Sequence, residues 1–161
     1  MPSKEELIQT LPQTGELAWI SFRPEKDQPV RETESISVDT TDGLAGDHYR
    51  GQSGKRQVTL IQEEHLPAIA AMLGVDCIEP ADLRRNLVIR KINLLALRDR
   101  TFRIGEEVIL EGTGACHPCS KMEAALGPGG YNAMRGHGGL TARVIRGGTI
   151  RVGDAIRVVA D

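Results

Sequence analysis

Two cysteines stand close together in Cys116-His117-Pro118-Cys119, and Ser120-Lys121-Met122-Glu123 follows directly. A thiol can act as a nucleophile, a sulfur carrier or a soft metal ligand, and its thiolate form does all three. Ser120 and Glu123 have the spacing of a helix-opening capping box. Met122, Ala124, Ala125 and Leu126 suit a short helix that Gly127-Pro128-Gly129-Gly130 ends. Cys119 is thereby predicted to lie just before a helix N-terminus, beside unpaired amides and the positive end of the dipole, with Lys121 close by. Surroundings of this kind favour a thiolate. Four uses of the pair are open. A structural zinc site takes four ligands, and here His117 and His137 are the nearest additions to a single pair. A redox dithiol fits Pro118 and the following helix but normally sits in a βαβ setting, which the sequence does not display. Two inert buried thiols are the plain alternative, and Cys77, beside Ile78, is read as a core cysteine of that kind. A single reactive thiolate at Cys119, with Cys116 as accessory thiol or bystander, fits best.

Three other segments carry chemistry-bearing residues. Gly43-Leu44-Ala45-Gly46-Asp47-His48-Tyr49-Arg50-Gly51 combines glycines, which allow close backbone approach, with Asp47 and His48, which could orient each other or a ligand. Leu83 to Ile89 reads as a strand, so Arg84 and Asn86 share one face and Arg85 points to the other. Polar residues within an apolar run need a polar partner, and guanidinium recognises phosphate bidentately. On this register Arg84→Ala should weaken phosphate binding more than Arg85→Ala. The segment Arg135 to Arg143 sets His137 between glycines and ends in Arg143. An ordinary surface loop or a solvated edge strand is the bland reading of each. Together, a thiolate, an Arg/Asn strand face and two glycine-rich loops fit a site for a phosphorylated small molecule. Walker-type and Gly-x-Gly-x-x-Gly nucleotide loops are absent.

The elements that must position these residues are mostly strands. Gly15 to Phe22, Glu34 to Asp39, Arg56 to Gln62, Leu83 to Ile89, Thr101 to Ile104, Val108 to Leu110, Ala142 to Arg146, Thr149 to Val152 and Ala155 to Val159 carry apolar, often alternating patterns bounded by Gly, Asp and Asn. Glu63 to Leu73 reads as a helix that Gly74 stops, and residues 3–10 as a short helix opened by Ser3 and Glu6. Phe102 to Leu110 echoes Ile150 to Val158, each read as a hairpin around a Gly-acid turn. The expected fold is mainly β (α+β), a barrel-like domain of short strands with two or three peripheral helices. Residues 1–14 form an N-terminal extension and 15–161 a single domain.

Composition excludes several function classes. A net charge of −2 and 3% aromatic residues argue against a nucleic-acid binder. No apolar run approaches the roughly 18 residues of a membrane span. The N-terminus lacks the order of a signal peptide, and three cysteines do not suggest a disulfide framework, so a cytoplasmic protein with reduced thiols is expected.

Five segments occur in an order that resembles the MOSC domain, the C-terminal domain type of molybdenum cofactor sulfurases, also found as small stand-alone bacterial proteins. They are Gly43 to His48, Arg84-Arg85-Asn86-Leu87, Phe102-Arg103-Ile104-Gly105, Cys116 to Cys119, and Gly148 to Asp154. The resemblance spans roughly residues 15–160 and implies a barrel-containing β fold. It implies binding of the molybdenum cofactor (molybdopterin), a phosphate-bearing pterin with a dithiolene-held metal. Cys119 matches the family's cysteine, which carries sulfur or ligates molybdenum. Arg84 and Asn86 match its Arg-x-Asn, and Asp47 and His48 its Gly-Asp loop. His137 and Arg143 are added as cofactor-binding candidates. The chain has no room for the pyridoxal-phosphate domain of full-length sulfurases, so a cysteine desulfurase or a molybdoenzyme is the partner implied. The function implied is sulfur transfer or molybdenum-dependent oxidoreduction, including reduction of N-hydroxylated compounds. A non-enzymatic cofactor carrier or delivery module is the alternative.

Overall fold

Alternating apolar residues along short strands close a barrel in the computed structural model, which describes residues 1–49, 51 and 53–160. Arg50, part of the first glycine-rich loop, Gln52 and Asp161 lie outside the described residues. In chain order the strands are β1 (Gly15–Phe22), β2 (Arg31–Thr33), β3 (Ser35–Asp39), β4 (Gly43–Leu44), β5 (Val58–Gln62) and β6 (Leu87–Arg90). Then come β7 (Thr101–Ile104), β8 (Val108–Ala115), β9 (Leu140–Arg146), β10 (Gly148–Arg151) and β11 (Ala155–Val158). The helices are α1 (Lys4–Gln9), α2 (Leu66–Leu73), α3 (Ser120–Leu126) and α4 (Gly130–Met134). Among the described residues no helix is long and apolar enough to cross a membrane.

Seven strands, in the order β11-β7-β8-β9-β5-β6-β1, form the barrel. It closes where Gly15 and Glu16 of β1 meet Ile156 and Ala155 of β11. Closure removes the exposed edges an open sheet would present. The barrel is filled by Leu17, Ile20, Leu60, Leu87, Ile89, Phe102 and Ile156, all fully buried. β3, β4 and β10 form a second small sheet.

The β5–β6 pair explains two continuous apolar runs. Leu60, Leu87 and Ile89 face the barrel interior, whereas Ile61 and Val88 pack outside against Leu66 and Ile69 of α2, Met122 of α3 and Met134 of α4. A strand buried on both faces loses its alternation. β5 and β6 run parallel and are joined through α2, a βαβ unit the sequence does not advertise. Gly74 ends α2 in the left-handed conformation.

Several boundaries differ from the sequence reading. Among the described residues four helices form where two or three were expected, because α4 grows out of the glycine-rich stretch after Gly129. The strand expected from Leu83 begins only at Leu87, since residues 80–83 make a 3-10 turn and Arg84 adopts φ 61°. The echo of Phe102–Leu110 in Ile150–Val158 is not a second hairpin. Around Gly105, β7 pairs with β8, but around Gly153 the chain crosses from β10 in the small sheet to β11 in the barrel. Cys77 is exposed, not a core residue, because α2 stops before it and the segment that follows runs over the surface.

Candidate functional site

Register brings one group of side chains together. Ile20 of β1, Leu87 of β6 and Leu60 of β5 are aligned across three adjacent strands. One step further along lie Ser21, Asn86 and Thr59. The Ser21 amide donates to the Asn86 carbonyl (2.7 Å) and the Asn86 amide to the Thr59 carbonyl (3.1 Å). The Asn86 side-chain oxygen accepts from both the amide and the hydroxyl of Thr59, at 2.9 and 3.1 Å. Its amide nitrogen donates to the Ser21 carbonyl at 3.3 Å and to Asp47 at 3.4 Å. Asn86 thus knits β1, β5 and β6 to the first glycine-rich loop. Asp47 also accepts the Arg23 amide at 2.8 Å, and the His48 amide donates to the Arg23 carbonyl at 2.7 Å. The two loop residues are therefore each fastened to Arg23.

Beside this knot opens a cleft of about 390 Å³ whose walls include Arg23, Arg56, Arg84, Arg85, Lys121 and Cys119. Asp47 is the one acidic residue among its described lining residues. A chain of net charge −2 has therefore gathered five cations at one place. Arg23 Nε, Arg84 Nη2 and Arg85 Nη2 are buried without a hydrogen-bond acceptor among the described residues. Burial first, and then the neighbouring Arg84 cation, push the Arg23 guanidinium below its usual range. Asp27 partly balances the rim, at 3.2 Å from Lys121 and 3.9 Å from Arg84. Unsatisfied buried guanidinium groups are costly, and an anion placed between them relieves the cost.

Arg84 and Arg85 both line the cleft, so the expected division by strand face does not hold. The left-handed turn at Arg84 breaks the alternation that argument needed. Arg85 is 7% exposed and donates from Nε to the Gly138 carbonyl and from Nη1 to the Leu83 carbonyl, both at 2.9 Å.

Cys119 is exposed and is itself the N-cap of α3, with extended backbone. The Ser120–Glu123 capping box does not form. Glu123 instead accepts the amides of Gly129 and Tyr131 at the start of α4, both at 2.9 Å. Those amides, Tyr131 first, hold its carboxyl below the ordinary value of 4.5. A carboxylate with a lowered folded-state pKa contributes stability above the unfolded value, and the contribution is lost as pH falls through the folded value. The wild-type chain should therefore lose stability below pH 4.5 more steeply than Glu123→Gln. Denaturant titrations across the acid range test this, and parallel slopes would show that the α3–α4 brace carries no weight.

Two candidates lie elsewhere. Arg143 pairs with Glu111 at 3.3 Å on the barrel wall and is not among the cleft's lining residues. His137 faces His65, Nδ1 to Nδ1 at 3.3 Å with the rings edge to face. Burial, then His137, push the His65 pKa down. A second cleft of about 380 Å³ lies beside them, lined by His65, Leu94, Cys116, His117, Pro118 and Leu140 among others. Among the described residues no three His, Cys, Asp or Glu side chains gather as a metal-binding group, so the zinc alternative has no ligand set there. The βαβ unit carries neither Cys116 nor Cys119, which follow β8 instead.

Sequence reasoning missed Arg23, Arg56 and Thr59. Arg23 comes directly after β1 and Arg56 shortly before β5, positions that look like strand ends until the strands are paired.

The molecule is thus a small closed β-barrel protein with a cationic cleft and a cysteine on its wall. Residues 33–157 match the MOSC domain, and the chain belongs to that family, which is associated with binding of the molybdenum cofactor. No curated protein matches the chain significantly. Among solved structures, the YuaD protein from Bacillus subtilis superposes with a TM-score of 0.79 at 19% identity, covering 92% of this chain and 98% of that one. YiiM from Geobacillus stearothermophilus gives 0.74 at 15% identity, covering 91% of this chain and 75% of that one. YiiM from Escherichia coli gives 0.70 at 17%, with coverage of 91% and 70%. These likenesses concern the fold.

Proposed function

We propose that the cationic cleft binds the molybdenum cofactor and that Cys119 is its reactive thiol, serving in sulfur transfer or as a molybdenum ligand. The observation that carries this reading is the set of three buried guanidinium nitrogens without acceptors among the described residues, on a cleft that Cys119 also lines. Their chemistry suits a phosphate-bearing ligand, since guanidinium donors match phosphate oxygens in geometry and charge. Arg23, Arg84 and Arg85 would hold the phosphate. Lys121 adds a point charge, and Asp47 and Asn86 fix the backbone that carries the arginines. A single protein sulfur is enough where the cofactor brings its own sulfur ligands to the metal. When bound, the cofactor supplies a centre for two-electron atom transfer, which accommodates reduction of N-hydroxylated compounds. Cys119 is set by the start of α3 and makes no capping bond of its own, so its sulfur is free to engage a ligand in the cleft.

Protein purified from a cell that makes the cofactor is expected to carry stoichiometric molybdenum, and Cys119→Ser to lose it with the fold intact. Reducible sulfane sulfur on Cys119 without metal would support the sulfur-transfer branch. Metal retained in Cys119→Ser would favour a carrier that grips the cofactor through its phosphate alone. Protein with neither metal nor sulfane sulfur would sink the proposal.

A further inference from the structure

The accessory cysteine sits in different surroundings from Cys119. Cys116 is 2% exposed, whereas Cys119 is open to solvent. Its amide donates to the Gly139 carbonyl at 2.8 Å, and its own carbonyl packs against Gly138, where a side-chain carbon would overlap it. Cys116 is therefore clamped. Its sulfur lies 4.0 Å from Nη2 of Arg56, and Arg56 lines the same cleft as Cys119. Only His117 and Pro118 separate the two cysteines, and neither belongs to a helix or strand.

We propose that Cys116 is the resolving thiol of Cys119, so that the segment works as an internal dithiol–disulfide couple. This deepens the reading of Cys119 as the reactive thiol of the cleft and rests on it. An exposed cysteine with a protected neighbour is the arrangement in which the first meets an external sulfur compound and the second closes on it. A buried thiol reacts with what is delivered beside it, not with what is dissolved around it.

Cys119 thiolate attacks a low-molecular-weight disulfide, forming a mixed disulfide and expelling one thiolate. Cys116 gives its proton to solvent, and its sulfur attacks the Cys119 sulfur. The Cys116–Cys119 bond forms, the mixed disulfide breaks, and the second thiolate leaves with the electron pair. The two protein sulfurs are oxidised and the two sulfurs of the small disulfide reduced. With a persulfide on Cys119, the same attack expels hydrosulfide. An external dithiol then reduces the bridge. The Arg56 guanidinium compensates the negative charge on Cys116 as it attacks.

The test uses the full chain in a Cys77→Ser background, which removes the other exposed thiol, with oxidised glutathione as the probe. The expected outcome is release of two glutathione molecules per chain and a peptide bridged between Cys116 and Cys119. Cys116→Ser should stop after one release, with glutathione on Cys119. Arg56→Ala should slow the second release about tenfold, consistent with losing one charge-compensating contact, and Arg56→Lys should restore it. A mixed disulfide on Cys119 that persists with Cys116 present overturns this inference and leaves the reactive-thiol reading standing. Failure of Cys119 to react at all overturns both. An unchanged second release in Arg56→Ala removes the guanidinium from the step.

Discussion

Arg84→Gly is expected to weaken phosphate binding by about ten- to a hundredfold while raising the stability of the chain by up to about 1 kcal/mol. The two effects have separate origins. Arg84 occupies the left-handed region at φ 61°, where a β-carbon crowds its own backbone and glycine does not. Its side chain adds little stability in return. The contact with Asp27 is 3.9 Å long and Asp27 is 64% exposed, so solvent screens it. An arginine at a position where glycine is easier is explained by what its guanidinium does in the cleft. Arg85 presents the opposite case. It is 7% exposed and its two bonds tie the Gly138 and Leu83 carbonyls. Arg85→Ala should cost about 2–3 kcal/mol, because buried acceptors lose a charged donor. Calorimetric titration with inorganic phosphate and unfolding in urea separate the two residues. If Arg84→Gly binds phosphate as well as the wild type, the guanidinium cradle is not the anion site. If it is less stable than the wild type, the strain argument fails.

Strand alternation ranks Arg84 above Arg85, and the structure replaces that reason with another. The apolar run Leu83 to Ile89 looks continuous, and nothing within it marks the turn at Arg84. The turn exists because Leu83 belongs to the outer cluster around α2, α3 and α4, while Leu87 begins the barrel wall. A local pattern could not separate two burials on opposite sides of one sheet. The Ser120–Glu123 spacing misled for a related reason. A carboxylate on α3 has two sets of amides within reach, and those of α4 win over the one at its own N-terminus. Strand alternation was more dependable. Ser35–Asp39 buries Ile36 and Val38 and exposes the residues between, as its pattern demands. Barrel closure, however, joins Gly15 to Ile156, a pairing no local signal carries. Arg23 and Arg56 were invisible on the same account. Each follows or precedes an ordinary strand, and only the pairing of β1, β5 and β6 turns them toward one cleft. The motif residues Asp47, His48, Arg84, Asn86 and Cys119 line that cleft together, so three of the five ordered segments, far apart in sequence, fall on one place, while Phe102–Gly105 and Gly148–Asp154 do not.

Gly139→Ala is expected to cost about 3 kcal/mol or more and to open the site from behind. Gly139 has φ 93°, and a methyl group there would overlap the Leu60 carbonyl and crowd Ile61. Leu60 belongs to the fully buried core of the barrel, so β5 cannot retreat, and the glycine-rich loop must move instead. That loop holds three parts of the site in place. The Gly139 carbonyl accepts the Cys116 amide, the Gly138 carbonyl accepts Arg85 Nε, and His137 packs on His65. Displacing it should therefore expose Cys116 and loosen Arg85 in one step. Gly136→Ala provides the comparison. Gly136 also has positive φ, at 82°, but among the described residues nothing beyond its chain neighbours lies within 4 Å of the added carbon, so only the backbone strain of about 1 kcal/mol applies. Urea unfolding gives the two costs. Alkylation with iodoacetamide followed by peptide mapping then asks whether Cys116, protected in the wild type, reacts in Gly139→Ala under native conditions. Equal costs at the two glycines, or a Cys116 that stays protected when Gly139 is substituted, would mean that β5 does not fix the loop and that the cysteine segment is held by something else.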